Sequence, residues 1–123
     1  MQTILVCDDE ANIRHIMDFS LEAEGFEVIE AADGDEALRL AVTAAPDLVL
    51  LDIMMPGNDG LTVCRHLKEN PATRHIPVLL LTARAGKDDR EAGLAAGANG
   101  YITKPFSPQR LVDKVNEMLG ARS

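Results

Sequence analysis

Residues 48–52 read Leu-Val-Leu-Leu-Asp, an uninterrupted apolar run that ends in one aspartate. The run is too short for a typical helix and lacks the alternation of a half-exposed strand, so it predicts a strand covered on both faces. Two other runs have the same form, Ile4-Leu5-Val6-Cys7 before Asp8-Asp9 and Val78-Leu79-Leu80-Leu81 before Thr82. Strands of this kind are typical of parallel sheets that have helices on both sides.

The segments between these runs carry helical periodicity. Apolar stripes predict helices over residues 13–21, 37–42, 61–67, 87–96 and 111–119, and shorter runs predict strands at 26–31 and 101–103. A loop is predicted at Pro56-Gly57-Asn58-Asp59-Gly60. Five strand–helix units with short connections favour an α/β, three-layer doubly wound (βα)5 flavodoxin-like fold, with a five-stranded parallel sheet of order 2-1-3-4-5. We predict a single domain over residues 1–123.

Composition argues against several classes of protein. No apolar run approaches the ~20 residues that cross a bilayer, and the N-terminus lacks the basic segment of a signal peptide, so we expect a cytoplasmic protein without membrane contact. The net charge of −8 argues against direct nucleic-acid binding. Cys7 and Cys64 lie in apolar patterns and are predicted to be small buried side chains, in preference to disulfide partners or metal ligands.

Acidic side chains follow two of the buried strands. In the order 2-1-3-4-5 the strand order reverses between strands 1 and 3, and ligands bind beyond the carboxyl ends of the strands at that point. Asp8, Asp9 and Asp52 are therefore predicted to converge. Carboxylates this close need a cation, and Mg²⁺ is the expected one, with Mn²⁺ as an alternative. The alternative that each acid caps the next helix suits Asp9, whereas no helix directly follows Asp52.

Two further strand ends add polar groups to the same edge. The Thr82 hydroxyl, at the end of strand 4, can donate to a phosphoryl oxygen, and the Lys104 ammonium, after strand 5, can balance charge on a transferring group. The alternative is that Thr82 is an ordinary turn hydroxyl and Lys104 an ordinary solvated lysine. The sequence leaves the Lys104-Pro105 bond open between cis and trans.

These residues lie in five segments that, in order and spacing, resemble response-regulator receiver domains of the chemotaxis-receiver-like kind from two-component signalling. The segments are Asp8-Asp9, residues 50–60, residues 81–84, residues 97–100 and residues 101–106. The resemblance implies that Asp52 accepts a phosphoryl group from a sensor histidine kinase, a histidine phosphotransfer protein or a small phosphodonor. It also implies that Asp9, Asp52 and the backbone carbonyl of Met54 hold Mg²⁺, with Asp8 contributing mainly through water.

The resemblance further implies a phosphorylation switch. Lys104 would contact the phosphoryl oxygens, Thr82 would move to hydrogen-bond them, and Tyr101 would turn inward to fill the vacated space. The face built by helix 4, strand 5 and helix 5 would then change its preference for an output domain or target protein, which is unknown. Such a chain is a phosphoacceptor that assists its own phosphorylation and dephosphorylation, and not an enzyme.

The sequence departs from relatives of this kind in two places. Acids often found in receivers that dimerise through the switching face are replaced here by Asn99-Gly100 and Gln109-Arg110. The usual set of cross-dimer ion pairs is therefore incomplete, although Asp89, Arg90 and Lys114 are kept. Side chains two residues beyond Asp52 and Thr82 can obstruct the water that hydrolyses an acyl phosphate. Those residues are Met54 and Arg84, and they predict slow autodephosphorylation.

Three other functions stay open at this stage. A phosphatase of the haloacid dehalogenase type also uses Asp, Thr, Lys and Mg²⁺, but it needs a second acid where this chain has Met54. A flavodoxin-like nucleotide binder needs a phosphate loop after strand 1, where Asp8-Asp9-Glu10 would repel phosphate. The third is a receiver-shaped interaction module that is never phosphorylated.

Overall fold

The computed structural model describes residues 2–55, 59–82 and 87–120, and for residues 87–90 it describes the backbone alone. Strands and helices alternate along the chain. The strands are β1 (Thr3–Cys7), β2 (Glu27–Ala31), β3 (Leu48–Asp52), β4 (Val78–Thr82) and β5 (Gly100–Thr103). The helices are α1 (Ala11–Glu22), α2 (Gly34–Ala44), α3 (Gly60–Glu69), α4 (Lys87–Ala95) and α5 (Pro108–Leu119). The predicted loop residues 56–58 lie outside the described residues.

All five strands are parallel and lie in the order β2-β1-β3-β4-β5, which confirms the predicted sheet. Cys7 is level with Leu51 in the β1–β3 pair, and Asp52 is level with Leu81 in the β3–β4 pair. The carboxyl ends of β1, β3 and β4 therefore meet at one edge. Every residue of β3 and β4 is buried, because helices cover both faces of the sheet centre.

Two separate hydrophobic clusters give the protein its three layers. Leu5, Val49 and Leu51 point to one face of the sheet, where residues of α2 and α3 pack against them. The alternate residues of the same strands, such as Ile4 and Leu48, point to the other face and meet α1 and α5. This arrangement follows from the two-residue period of a strand, which sends successive side chains to opposite faces.

Two predicted core positions are wrong. The helical periodicity of residues 13–21 and 37–42 predicts that Ile16 and Val42 lie on the buried stripes of α1 and α2, yet their side chains are 46% and 51% exposed. Met17 and Ala41, one position away in each helix, are buried. A surface helix buries a stripe little more than about 100° wide, and Ile16 and Val42 lie at its margin.

Both cysteines are free and buried, which confirms the prediction for them. Burial, together with repulsion of a thiolate by nearby carboxylates, Asp33 first, raises the pKa of the Cys7 thiol to about 12. Cys7 is therefore a neutral packing residue directly before the two acids Asp8 and Asp9. Across the part of the chain that the structure describes, no helix has the length and hydrophobicity needed to span a membrane.

Candidate functional site

The site begins with three carboxylates at the carboxyl ends of β1 and β3. Asp8 and Asp9 follow β1, and Asp52 is the last residue of β3. Each of the three offers an oxygen that lies within 4.8 Å of the others. Asp8 and Asp52 are 0% and 4% exposed, whereas Asp9 faces solvent. Two buried acids and one exposed acid thus share one end of the sheet, as the topology predicted.

Lys104 lies in the same pocket, directly after β5. Its Nζ is 2.8 Å from Oδ2 of Asp8 and 3.3 Å from Oδ2 of Asp52, and its side chain is 18% exposed. The main-chain N–H of Lys104 donates to the carbonyl oxygen of Thr82 at 2.6 Å, so the backbone continues the β4–β5 pairing up to the lysine. The alternative of an ordinary solvated lysine is wrong. The Lys104-Pro105 bond, left open by the sequence, is cis.

The electrostatics of this group follow from burial and charge. Burial raises the pKa of Asp52 above its usual value, and repulsion from Asp8 raises it further, while Lys104 and the N–H of Met54 oppose the shift. Burial alone would lower the pKa of Lys104, but its contacts with Asp8 and Asp52 outweigh this effect and the pKa is raised. One cation therefore serves two buried carboxylates, and a further cation would relieve the remaining repulsion.

The chemistry of this donor set fits a magnesium ion. Three carboxylates in one small pocket offer hard oxygen ligands, and Mg²⁺ is held by few protein groups while it keeps several waters. One of the three acids, Asp9, is open to solvent, so an ion bound there can retain water or phosphate oxygens. Among the residues that the structure describes, Asp8, Asp9 and Asp52 form a group of side chains able to hold such an ion.

The backbone around Asp52 is tightly arranged. The N–H of Met54 donates to Oδ1 of Asp52 at 3.2 Å, and the N–H of Gly60 donates to the carbonyl of Ile53 at 2.9 Å. A Cβ at Gly60 would lie 2.7 Å from Cα of Ile53 and 2.8 Å from the carbonyl carbon of Asp52. Only glycine fits this close to the backbone of Asp52 and Ile53. Gly60 therefore allows α3 to begin directly beside Asp52.

Sequence reasoning treated Gly60 only as part of a loop. A glycine after a helix-capping aspartate signals a turn, but the sequence does not say which backbone it approaches. Met54 itself is 68% exposed, so its side chain stands beside the pocket and not inside it. Arg84, predicted to act with Met54, lies outside the described residues.

Thr82 and Tyr101 lie on neighbouring strands near the pocket. Thr82 ends β4 and is 3% exposed, while Tyr101 is half-buried in β5 and packs on the core. Both line a cavity of about 30 Å³, together with Gly93 and Leu94 of α4. That volume is more than the ~10–15 Å³ one water needs. Space into which a side chain can move therefore lies directly between the two predicted switch residues.

The alternative reading of Asp9 as a helix cap is wrong. The N-cap residue of α1 is Glu10, and it makes no side-chain capping bond. The N–H of Glu10 instead donates to Oδ1 of Asp8 at 2.9 Å, so Asp8 and not Asp9 holds the start of the helix. Asp9 is left facing solvent at the mouth of the acidic group.

Residues on the predicted switching face make contacts within the chain. Oδ1 of Asn99 accepts from the N–H of Val78 at 2.9 Å, and Nζ of Lys114 lies 3.0 Å from Oε1 of Glu117. Asn99 therefore holds the start of β4, and Lys114 has an acid on its own helix. The side chains of Asp89 and Arg90, named with them in the dimerisation set, lie outside the described residues.

The fold and the site define a parallel α/β protein. Its acidic pocket is suited to a cation and contains the buried Asp52, which Lys104 contacts. The family model described as the response regulator receiver domain matches residues 4–116. The chain belongs to this family. Its members are the phosphoacceptor domains of two-component signalling, and phosphorylation of an aspartate is their general mechanism.

Individual relatives agree with this assignment. The chain is 51% identical over 116 residues to the response regulator PleD of Caulobacter vibrioides, a match covering 94% of this chain and 25% of PleD. It is 48% identical over 116 residues to the phosphate regulon transcriptional regulatory protein PhoB of Escherichia coli, covering 94% of this chain and 51% of PhoB. The chain thus spans about half or less of these relatives.

A solved structure with the same fold is the receiver domain of the sensor histidine kinase PA1611 from Pseudomonas aeruginosa. It is 32% identical, has a TM-score of 0.89, and the match covers 98% of both chains. That structure holds a magnesium ion coordinated in its active-site cleft.

Proposed function

We propose that Asp52 of this chain accepts a phosphoryl group and thereby switches the face built by α4, β5 and α5. The observation that carries the proposal is the position of Asp52, buried at the end of β3 with Lys104 3.3 Å away and two further carboxylates alongside. Because Asp52 ends β3, a reacting group would approach it from the carboxyl edge of the sheet. Residues 1–123 would act as one receiver domain, and a cytoplasmic location is part of the proposal.

In the proposed reaction an oxygen of Asp52 attacks phosphorus and forms an acyl phosphate. The bond that breaks is the N–P bond of a phosphohistidine, or the O–P bond of a small donor such as acetyl phosphate, and the electron pair leaves with the imidazole or the acetate. Asp9, Asp52 and the main-chain carbonyl of Met54 would hold Mg²⁺, with Asp8 contributing mainly through water, and the ion would supply neutralisation of phosphoryl charge. Mn²⁺ is expected to substitute.

The chain's own residues complete the reaction. Lys104 is a cation in direct contact with Asp52, and a compact ammonium at that point would stabilise negative charge on the phosphoryl oxygens. Asp8 holds the ammonium at 2.8 Å and so keeps it in the pocket before the donor arrives. The N–H of Met54 holds the other oxygen of Asp52, Oδ1, which leaves Oδ2 beside the lysine.

The proposed switch uses the cavity between Thr82 and Tyr101. The added phosphate brings negative charge and acceptor oxygens to the end of β3. The Thr82 hydroxyl, one strand away, would turn to donate to them. Its movement would enlarge the present cavity of about 30 Å³, and the Tyr101 ring would turn inward into that space. The exposed surface of β5 would then lose an aromatic side chain, which changes what that face can bind.

A phosphodonor protein must bring its histidine to Asp52, so its contact surface must adjoin the pocket. A groove of about 600 Å³ meets this condition because Lys104 is one of the residues that line it. The rest of the groove is apolar and is lined by Ile13, Ile16, Pro105 and Phe106. We propose that a helix of a sensor histidine kinase or histidine phosphotransfer protein docks there. The output domain or target protein is not part of this proposal.

The main competing function is a phosphatase acting on separate substrates. Such an enzyme needs an acid two residues after its nucleophile to protonate the leaving group. The residue at that position is Met54, which is 68% exposed and cannot donate a proton. We therefore propose a phosphoacceptor that assists its own phosphorylation and dephosphorylation, and not an enzyme that turns over other molecules.

The test is incubation of the purified chain with acetyl phosphate and Mg²⁺, followed by intact-mass measurement. The wild-type chain should gain the mass of one phosphoryl group, and Asp52→Asn should gain none. Asp113→Asn, which changes an exposed aspartate on α5, should behave like the wild type. Phosphorylation of Asp52→Asn, or absence of phosphorylation in the wild type, would overturn the assignment.

A further inference from the structure

Arg14, near the start of α1, contacts the backbone of the Asp8-Asp9 pair and a side chain of β2. Its Nη1 donates to the main-chain carbonyl oxygen of Asp8 at 2.7 Å, and its Nε donates to Oε1 of Glu30 in β2 at 3.1 Å. The side chain is only 17% exposed, so the guanidinium is held between these two acceptors. A cation near a helix N-terminus opposes the helix dipole. Helix stability therefore does not explain the position of Arg14.

The two peptide units that flank Asp9 are both fixed by side chains. The carbonyl of Asp8 belongs to the peptide before Asp9, and Arg14 binds it. The N–H of Glu10 belongs to the peptide after Asp9, and Oδ1 of Asp8 accepts from it at 2.9 Å. Asp9 itself is exposed, so its direction depends on this backbone.

We infer that Arg14 is a positioning residue, which fixes the Asp8–Asp9 peptide and so orients the Asp9 carboxylate toward the cation site. Glu30 in turn holds the guanidinium by its Nε, so the end of β2 supports the mouth of the pocket. The inference rests on the proposed function, because it assigns Arg14 a role toward the cation that Asp9 would bind.

Three explanations for the position of Arg14 predict different changes in Mg²⁺ affinity when its side chain is removed. If Arg14 acts only through its charge, its loss makes the pocket more negative and tightens Mg²⁺ binding. If it only ties α1 to β2, its loss lowers stability and leaves the affinity of the folded protein unchanged. If it positions Asp9, its loss weakens Mg²⁺ binding in spite of the more negative pocket.

The experiment is a calorimetric titration of Mg²⁺ into the full chain. Arg14→Gln should raise the dissociation constant about tenfold, the usual scale for residues that hold a metal ligand in place. Arg14→Lys keeps the charge but cannot reproduce the two-pronged contact, so it should also weaken binding. Arg39→Gln is the matched control, because Arg39 is 62% exposed and pairs only loosely with Glu36 at 3.7 Å, and it should stay within about twofold of the wild type.

A second readout uses the metal-free protein. Hydrogen exchange of the Glu10 amide, followed by nuclear magnetic resonance, should be faster in Arg14→Gln and Arg14→Lys than in the wild type or Arg39→Gln. Unchanged exchange, or Mg²⁺ affinity that is unchanged or tighter in Arg14→Gln, would overturn the inference. Failure of the wild type to bind Mg²⁺ would instead overturn the proposed function, and the role of Arg14 toward the cation with it.

Discussion

Lys104→Met tests whether one ammonium compensates two buried carboxylates. Methionine keeps a long apolar side chain and removes only the charge and its hydrogen bonds. The ammonium lies 2.8 Å from Asp8 and 3.3 Å from Asp52, and both acids are almost inaccessible to water. At an effective dielectric constant of about 20, each contact is worth roughly 5–6 kcal/mol before the cost of burying the lysine is subtracted. Removing one partner of a buried pair typically costs about 3–5 kcal/mol net, and we expect a loss in that range.

The assay is urea unfolding followed by circular dichroism near neutral pH, with a chelator present. Adding Asp52→Asn to Lys104→Met should recover part of the lost free energy of unfolding, because one of the two uncompensated carboxylates is gone. Mg²⁺ should also recover part of it by binding the acids directly. Lys114→Met removes a surface lysine that pairs with a largely exposed Glu117, and it should cost less than about 1 kcal/mol.

A loss of unfolding free energy in Lys104→Met no greater than that in Lys114→Met would contradict this expectation. Failure of both Mg²⁺ and the second substitution Asp52→Asn to restore stability would contradict it equally. Either result would mean that Lys104 does not balance charged carboxylates in the folded protein.

Three further outcomes follow from the same site. Because burial and Asp8 raise the pKa of Asp52, the folded chain binds more protons than the unfolded chain between the two pKa values. Metal-free stability should therefore fall as pH rises through that window, and urea titrations of Asp52→Asn should show a smaller fall. Gly60→Ala forces a Cβ against backbone and should cost about 1–3 kcal/mol and slow phosphorylation by acetyl phosphate. Gly25→Ala strains a backbone with φ of 94° but has open space around its Cβ, so it should cost stability and leave phosphorylation unchanged. Met54→Asn should shorten the lifetime of the acyl phosphate in an intact-mass time course, and an unchanged lifetime would contradict the predicted obstruction of water.

The sequence by itself determined the sheet and the end of it that carries the chemistry. Burial of β3 and β4 on both faces is encoded locally, because an uninterrupted apolar run has no polar face to turn outward. Once the strand order is known, the parallel direction brings the carboxyl ends of β1 and β3 together. The sequence alone therefore assigns Asp8, Asp9 and Asp52 to one pocket, and the structure brings them together.

Only the tertiary structure decided how those acids are held. The contact between Lys104 and Asp8 joins residues 96 positions apart. No periodicity encodes it, since it depends on the direction of one side chain. No periodicity encodes the hydrogen bond from Arg14 to the carbonyl of Asp8 either. The same is true of the close approach of Gly60 to the backbone of Asp52. Hydrophobic patterning specifies which faces are buried, whereas contacts that depend on distances of a few tenths of an ångström arise only when the packed layers are in place.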